Sequence, residues 1–262
     1  MTNTSTLPGG PVLTERRGHI LIITLNRPSV RNAINLDLAR GVAAALDMLD
    51  GDDQLRVGVL GGAGPGFCAG MDLKAFATDG EWPLIDGRGF GGICERSSDK
   101  PLIAAIEGFA MAGGLEVALS CDLLVAARGA RMGTPEVKRG LVAGAGAVLR
   151  LPKRIPYHIA MEMALTGDLI TTERAYELGL VNLLCEPGEA MASALKMANV
   201  IAENAPIAVR ASKHIVRGAI DWAEDESWIN QASLIERVRR SEDATEGALA
   251  FSEKRQPHWK GK

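Results

Sequence analysis

Apolar residues follow two rhythms along this chain. Short unbroken runs, bounded by Gly, Pro or Asn, alternate with longer stretches that place apolar residues three and four apart. The runs at 19–25 (HILIITL), 56–60 (RVGVL), Leu102–Ile106 and Leu123–Ala127 predict buried strands. Asn35 predicts the N-cap of a helix through Leu49, with Leu38, Val42, Ala45, Leu46 and Leu49 on one face. Residues 61–70 read as a glycine-rich loop, 71–76 as a short helix, and 78–92, broken by Pro83, as a mobile excursion. Residues 93–98 close a helix, and Gly113–Ser120 form another. Strands and helices in alternation, with short buried strands, predict an α/β fold.

From Pro156 the pattern turns helical. Segments 159–166, 172–178, 187–203, 206–220, 224–240 and 243–254 read as helices, with one strand at 180–184. The expected division is a core over 12–200 and a helical C-terminal region over 201–262. The helix at 224–240 carries both an apolar stripe and charge. A projecting helical tail must bury its apolar face somewhere, so a homo-oligomer is expected.

Composition narrows the function classes. The 262 residues are 47% hydrophobic, enough for a sizeable core. A net charge of −3 and 4% aromatic residues argue against a nucleic-acid grip or base stacking. Cys68, Cys94, Cys121 and Cys185 fall in no metal-ligand spacing, and the four histidines are scattered. No metal site and free thiols in a cytoplasmic protein are the expectation. Residues 1–11 are polar and lack the apolar region of a signal peptide, and no apolar run approaches the ~18 residues of a membrane span.

The candidate chemistry lies in the loops. Gly64-Pro65-Gly66-Phe67-Cys68-Ala69-Gly70-Met71-Asp72-Leu73-Lys74 leaves a buried strand and enters a helix. Its Gly64-x-Gly66-x-x-Ala69 spacing fits the dinucleotide fingerprint, but two strands and a helix precede it, and Asp86, the acidic residue at the expected distance, lies in a loop. No Gly-Lys-Ser/Thr follows, which excludes a phosphate-cradling Walker loop. Two readings stay open. Ala69-Gly70-Met71 presents backbone N–H groups to a ligand, or it makes a tight turn without one.

The run Ala112-Gly113-Gly114-Leu115-Glu116 also follows a strand and opens a helix. Two such loops after neighbouring strands would aim their N–H groups at one spot and form a two-donor oxyanion hole. The alternative for Gly113-Gly114 is close helix–strand packing, and for Glu116 an arginine partner. Glu116 sits among Leu115, Val117, Ala118 and Leu119, where an unpaired carboxylate is costly and tends to be functional. Glu136 follows Pro135 in a first helical turn, where dipole compensation would equally place it. A third glycine-rich turn, 140–150 (GLVAGAGAVLR), leads into an apolar helix.

Together these motifs resemble the crotonase, or enoyl-CoA hydratase/isomerase, superfamily. The resemblance runs from Val12 to Lys262. It is carried by Asn26-Arg27-Pro28 with Asn32-Ala33, by Phe67 to Lys74, by Ala112 to Glu116 with Cys121-Asp122, and by Pro135-Glu136. It implies a crotonase-like spiral of ββα units with a helical C-terminal trimerisation region, as a trimer or a dimer of trimers. It implies an acyl-CoA thioester substrate and no cofactor other than the coenzyme A of that substrate. Position by position, it puts the oxyanion-hole N–H groups on Met71 and Gly113, the catalytic carboxylates on Glu116 and Glu136, and a water-holding backbone position on Gly144. Arg31, Ala33, Ala69, Gly70, Asp72, Leu73 and Lys74 fall where the family meets coenzyme A, and Gly114 and Pro135 border the substrate. Phe251 and Lys254 resemble a C-terminal motif that approaches coenzyme A, from an adjacent subunit in some assemblies.

The chain departs from the hydratase pattern in two places. Ala143-Gly144-Ala145-Gly146-Ala147 stands where hydratases commonly show Pro-Gly-x-Gly-Gly, and Met71 is bulkier than the usual small residue. The segment Ser241 to Gly247, Leu149-Arg150-Leu151-Pro152 and Phe67-Cys68-Ala69-Gly70 look most like crotonobetainyl-CoA hydratases (carnitinyl-CoA dehydratases), with steroid side-chain enoyl-CoA hydratases sharing these features. The expected reaction is hydration of a trans-2-enoyl-CoA or its reverse. Enoyl-CoA isomerisation is the nearest rival, and an inactive acyl-CoA- or RNA-binding oligomer is the rival of another class. A nicotinamide dehydrogenase is a third. Trp82 and Phe90 in the excursion are candidates for an acyl-pocket wall or lid.

Overall fold

Residues 9–262 are described by a computed structural model. The first part of the chain contains Val12–Arg17 (β1), Ile20–Leu25 (β2), Leu36–Gly51 (α1), Val57–Gly62 (β3), Leu73–Asp79 (α2), Leu84–Ile85 (β4) and Gly89–Phe90 (β5). Next come Leu102–Ile106 (β6), Phe109–Met111 (β7), Gly113–Ser120 (α3), Leu123–Ala127 (β8), Arg131–Gly133 (β9) and a 3-10 turn at Pro135–Arg139. The remainder holds Ala147–Arg154 (α4), Tyr157–Thr166 (α5), Ile170–Thr171 (β10), Thr172–Glu177 (α6), Leu183–Cys185 (β11), Ala190–Ala202 (α7), Pro206–Gly218 (α8), Glu224–Arg239 (α9) and Glu242–Glu253 (α10). The expected α/β class is what the chain adopts, with a helical C-terminal region.

The main sheet has the order β1-β2-β3-β6-β8-β11, parallel except for β1, which pairs antiparallel with β2. Its apolar runs are unbroken because both faces are covered. Leu21, Ile23 and Leu25 point to the side that holds α1 and α3, while Ile20 and Ile22 point to the side covered by α7. The helix α7 offers Ala190, Ala194 and Ala198, four apart, so its backbone lies close against the sheet. Residue 200 falls inside α7, so the purely helical region begins with α8. A second sheet, β10-β9-β7, flanks the first.

Several expectations are corrected. Residues 93–98 form turns and no helix; Gly91 and Gly92, at φ 64° and 73°, end regular structure there, and a Cβ at Gly92 would lie 2.2 Å from the Ala39 carbonyl oxygen. Part of the excursion at 78–92 is packed: β4 and β5 make a small hairpin, Phe90 is buried, and buried Arg88 pairs with Asp47 of α1. The helix expected at 71–76 begins at Leu73, because Met71 forms a bridge with Ile34. Strands β1, β7 and β9 were not expected; they are polar or only three residues long. Most of the polar stretch 1–11 lies outside the described residues. Among the described residues no helix is long and apolar enough to cross a membrane, and no cluster of His, Cys, Asp and Glu could hold a metal ion.

One side chain sets the loop after β3. Asn32 is fully buried, and its amide nitrogen donates towards the carbonyls of Ala63, Gly66 and Phe67 at 2.9, 3.0 and 3.0 Å. Its Oδ1 accepts from the Arg27 N–H at 2.9 Å. Asn32→Ala strands these buried groups, and a loss of roughly 3 kcal/mol is expected. Urea denaturation checks it; a change below about 1 kcal/mol would contradict this account.

Candidate active site

The loop 63–72 crosses beneath Ile34. The Ile34 N–H donates to the Gly70 carbonyl at 2.7 Å, and the Asp72 N–H donates to the Ile34 carbonyl at 2.9 Å. Backbone groups alternate in direction along an extended segment, so the Met71 N–H points away from Ile34. It has no protein acceptor among the described residues. Asp72 then caps α2, accepting from the Ala75 N–H at 3.2 Å and pairing with Arg27 at 2.9 Å. Burial pushes the Asp72 carboxyl up, but the Ala75 N–H and the Arg27 guanidinium hold it below the usual range.

The second loop turns at Ala112, whose φ of 52° and ψ of −130° are sparsely populated for a residue with a side chain. Its N–H is fixed to the Gly133 carbonyl at 2.9 Å. Gly113 then opens α3, where first-turn N–H groups lack intrahelical partners. The Gly113 N–H also has no protein acceptor among the described residues. The two loops touch backbone to backbone. A Cβ at Gly70 would lie 3.3 Å from the Gly113 nitrogen, and one at Gly114 would lie 2.3 Å from the Cys68 carbonyl oxygen. The glycines thus permit the close packing that was one of the open readings of Gly113-Gly114, and the loops they join carry the Met71 and Gly113 N–H groups.

Those N–H groups border a cavity of ≈ 930 Å³, which Glu116 and Glu136 also line. Glu116 is 3% exposed, and its Oε1 accepts the Ala147 N–H at 3.1 Å. Burial pushes its pKa up, while the N–H groups of Ala147, Ala145 and Gly146 and the charge of Arg150 oppose the shift. Glu136 sits in the 3-10 turn, and its Oε2 is buried with no hydrogen-bond partner. Burial, reinforced by the charge of Glu116, pushes Glu136 up to about 7. Glu116 is cradled by several backbone donors, whereas Glu136 has only its own backbone N–H as a donor and one oxygen without a partner, which separates their proton affinities.

Of the residues singled out in the sequence, Arg31, Ala69, Met71, Leu73, Gly113, Glu116, Pro135, Glu136 and Gly144 line this one cavity. Ala33, Gly70, Asp72, Lys74 and Gly114 do not line it. Phe251 and Lys254 lie on or just after α10, exposed and outside the cavity. Trp82 and Phe90 do form part of the wall. Cys94 and Arg150 also line it, and no sequence reading singled them out for the site; their segment and helix reach it only through tertiary packing.

The family model "Enoyl-CoA hydratase/isomerase" matches residues 15–262. The enoyl-CoA hydratase EchA19 of Mycobacterium tuberculosis is 38% identical over 98% of this chain and 100% of its own length. The carnitinyl-CoA dehydratase of Salmonella arizonae is 43% identical over 94% of this chain and 97% of its own. A crystal structure of an enoyl-CoA hydratase from Mycobacterium tuberculosis superposes with a TM-score of 0.94 at 55% identity, covering 97% of this chain and 100% of that one. The chain belongs to the enoyl-CoA hydratase/isomerase family.

Two stability measurements probe the site. Gly114→Ala drives a methyl group onto a backbone carbonyl, whereas Gly113→Ala meets the Phe90 ring at 2.5 Å, a side chain that can swing. Gly114→Ala is expected to lower Tm by roughly 3–10 °C and Gly113→Ala by clearly less; the reverse order would refute the backbone contact. The second concerns pH. Glu136 in the folded state holds its proton to about pH 7, above its ordinary value of 4.5. Between those values the folded state binds more protons than the unfolded one, so stability falls as pH rises from 4.5 to about 7 and then levels off. Glu136→Gln is expected to remove that part of the decline in a pH series of Tm, and an unchanged slope would contradict the raised pKa.

Proposed function

We propose that the chain adds water across the double bond of a trans-2-enoyl-CoA to give a 3-hydroxyacyl-CoA, or runs the reverse dehydration. The observation that carries the reading is the pair of unpartnered N–H groups on Met71 and Gly113, beside the same cavity as Glu116 and Glu136. A thioester oxygen placed between the two N–H groups gains its strongest hydrogen bonds as it takes on enolate charge, worth about 3 kcal/mol per donor in the transition state. Glu116, supported by backbone donors that favour its ionised form, takes a proton from water as the water attacks the β-carbon. Glu136, which keeps its proton to about pH 7, delivers a proton to the α-carbon. Gly144 borders the space between them and is the candidate backbone position for holding the water. The reaction moves a proton and a hydroxide but no electron pair to an acceptor, so it calls for no redox cofactor.

The remaining assignments support a coenzyme A thioester. Arg31, Ala69 and Leu73 border the cavity beside the Met71 loop, with Ala33, Gly70, Asp72 and Lys74 next to them in sequence, and this is the side proposed for the coenzyme. Trp82, Phe90 and Leu149 present an apolar wall suited to the acyl chain. Exposed Trp228 and Ile229 on α9 and Val216 on α8 support assembly with copies of this chain, and such assembly could carry Phe251 and Lys254 to a neighbour's coenzyme. A soluble cytoplasmic homotrimer or hexamer acting on fatty acyl chains is the corresponding proposal. Isomerisation is weaker because it can run on one carboxylate, and here two face the cavity. The relatives named carnitinyl-CoA dehydratase favour including the dehydration direction in assays.

The test is loss of enoyl-thioester absorbance across short, long, steroid-chain and betaine-type enoyl-CoAs. Glu116→Gln and Glu136→Gln are each expected to lower kcat about 10²–10⁴-fold, with KM little changed. Wild-type hydration should decline above pH 7, as Glu136 loses its proton. Full activity in Glu116→Gln would sink the assignment, and acyl-CoA binding without any turnover would favour a binding protein.

A further inference from the structure

We propose that Arg150 is a positioning residue that holds the Glu116 carboxylate in place and ionised. For its kinetic arm the proposal rests on the hydratase reading; its structural arm does not. Arg150 lies one turn into α4, and its guanidinium folds back over the start of the helix. Nη1 donates to the Ala145 carbonyl at 3.3 Å, and Nη2 donates to the Cys94 carbonyl. A Cβ at Gly146 would lie 2.0 Å from Nη1, so the fork occupies the space a side chain there would need. One side chain thus clamps the turn 145–147 to the cavity wall at Cys94. That turn is the one whose Ala147 N–H donates to Glu116.

The placement works against α4 taken alone. The start of a helix is electropositive, and a guanidinium there is unfavourable by itself. Gly146, the N-cap residue, provides no side-chain cap either. An anionic Glu116 offsets this: it accepts from the helix start through the Ala147 N–H and is drawn down by the charge of Arg150.

The other titratable groups do not supply the same charge. Glu136 faces Glu116 from the 3-10 turn and repels it. Cys94 is pushed up to about 12 by burial and stays a neutral thiol; Cys121, after α3, is raised further by burial. Arg154, one turn on in α4, donates to the Leu119 carbonyl at 2.7 Å. Arg139 faces Glu136, and Arg217 of α8 faces Arg150. Among these groups Arg150 is the cation that draws Glu116 down.

The experiment titrates Glu116 by NMR on protein carrying carboxyl-labelled glutamate, with Glu116→Gln identifying the signal. In Arg150→Gln the Glu116 midpoint is expected to rise by about one pH unit. The acidic limb of kcat for hydration of a short 2-enoyl-CoA should rise by the same amount, with KM within about twofold and the limb above neutrality unmoved. Arg150→Lys keeps the charge but cannot reach both carbonyls in one fork, so its midpoint should fall between those of wild type and Arg150→Gln. A merely structural role predicts a lower Tm with the Glu116 midpoint in place. An unmoved midpoint in Arg150→Gln overturns the proposal; if that variant does not fold, an unmoved midpoint in Arg150→Lys does so. Absence of wild-type turnover on every enoyl-CoA would sink the hydratase reading alone and leave the titration to decide the role of Arg150.

Discussion

The site depends on backbone meeting backbone. The segment 67–70 runs beside 109–114, with the Phe67 N–H donating to the Phe109 carbonyl at 3.0 Å and the Met111 N–H donating to the Cys68 carbonyl at 3.0 Å. Side chains would hold these loops apart, and Gly70, Gly113 and Gly114 remove them where the approach is tightest. With the segments locked, two N–H groups that belong to different parts of the chain become neighbours. Main-chain donors held this way need no reorganisation when charge develops opposite them, which is why such an arrangement suits an enolate better than mobile side chains would. Asn32 extends the constraint by gathering three carbonyls of the loop with one amide group.

The two carboxylates share one cavity but not one environment. Both are raised by burial, so burial alone does not tell them apart. The difference comes from what surrounds them. Glu116 accepts from the start of α4 and feels the charge of Arg150, while Glu136 has a buried oxygen without a partner. An unsatisfied buried oxygen is expensive, and a protein keeps one where protonation or substrate relieves it. Each carboxylate also makes the other harder to ionise, and the first proton loss falls to Glu116, the member with more hydrogen-bond donors.

Much of this was legible in the sequence, and the limits are physical. The runs Leu102–Ile106, Gly113–Ser120 and Leu123–Ala127 were readable to the residue because both faces of those elements are buried and the pattern is unbroken. The Asn35 cap and α1 were readable for the same local reasons. Three-residue strands such as β7 and β9 carry no periodicity, and their pairing comes from the neighbouring loops. The hairpin of β4 and β5 was read as mobile because its glycines and Pro83 look like loop chemistry, whereas Arg88 and Phe90 anchor it through contacts distant in sequence. Glu116 was visible as a charge on an apolar helix. Arg150 was not, since an arginine on a helix is ordinary until tertiary packing brings its guanidinium onto the Ala145 and Cys94 carbonyls beside the cavity.

The departure at Ala143-Gly144-Ala145-Gly146-Ala147 shows which part of that turn is under constraint. Gly146 takes a φ of 117°, a conformation that favours glycine, so its identity is bound to the turn. Ala143 and Ala147 are buried, and their methyl groups join the core. Neither site asks for a proline or a glycine, because what reaches Glu116 from position 147 is an N–H that alanine supplies equally well. Gly144 lies beside open space, its nearest outside neighbour being Val142 at 3.6 Å. It is free of the steric demand on Gly146, so glycine there is better explained by what enters the cavity than by the packing of the turn. The side chains at 143 and 147 serve the core, while the backbone of the turn is what Glu116 and the cavity meet.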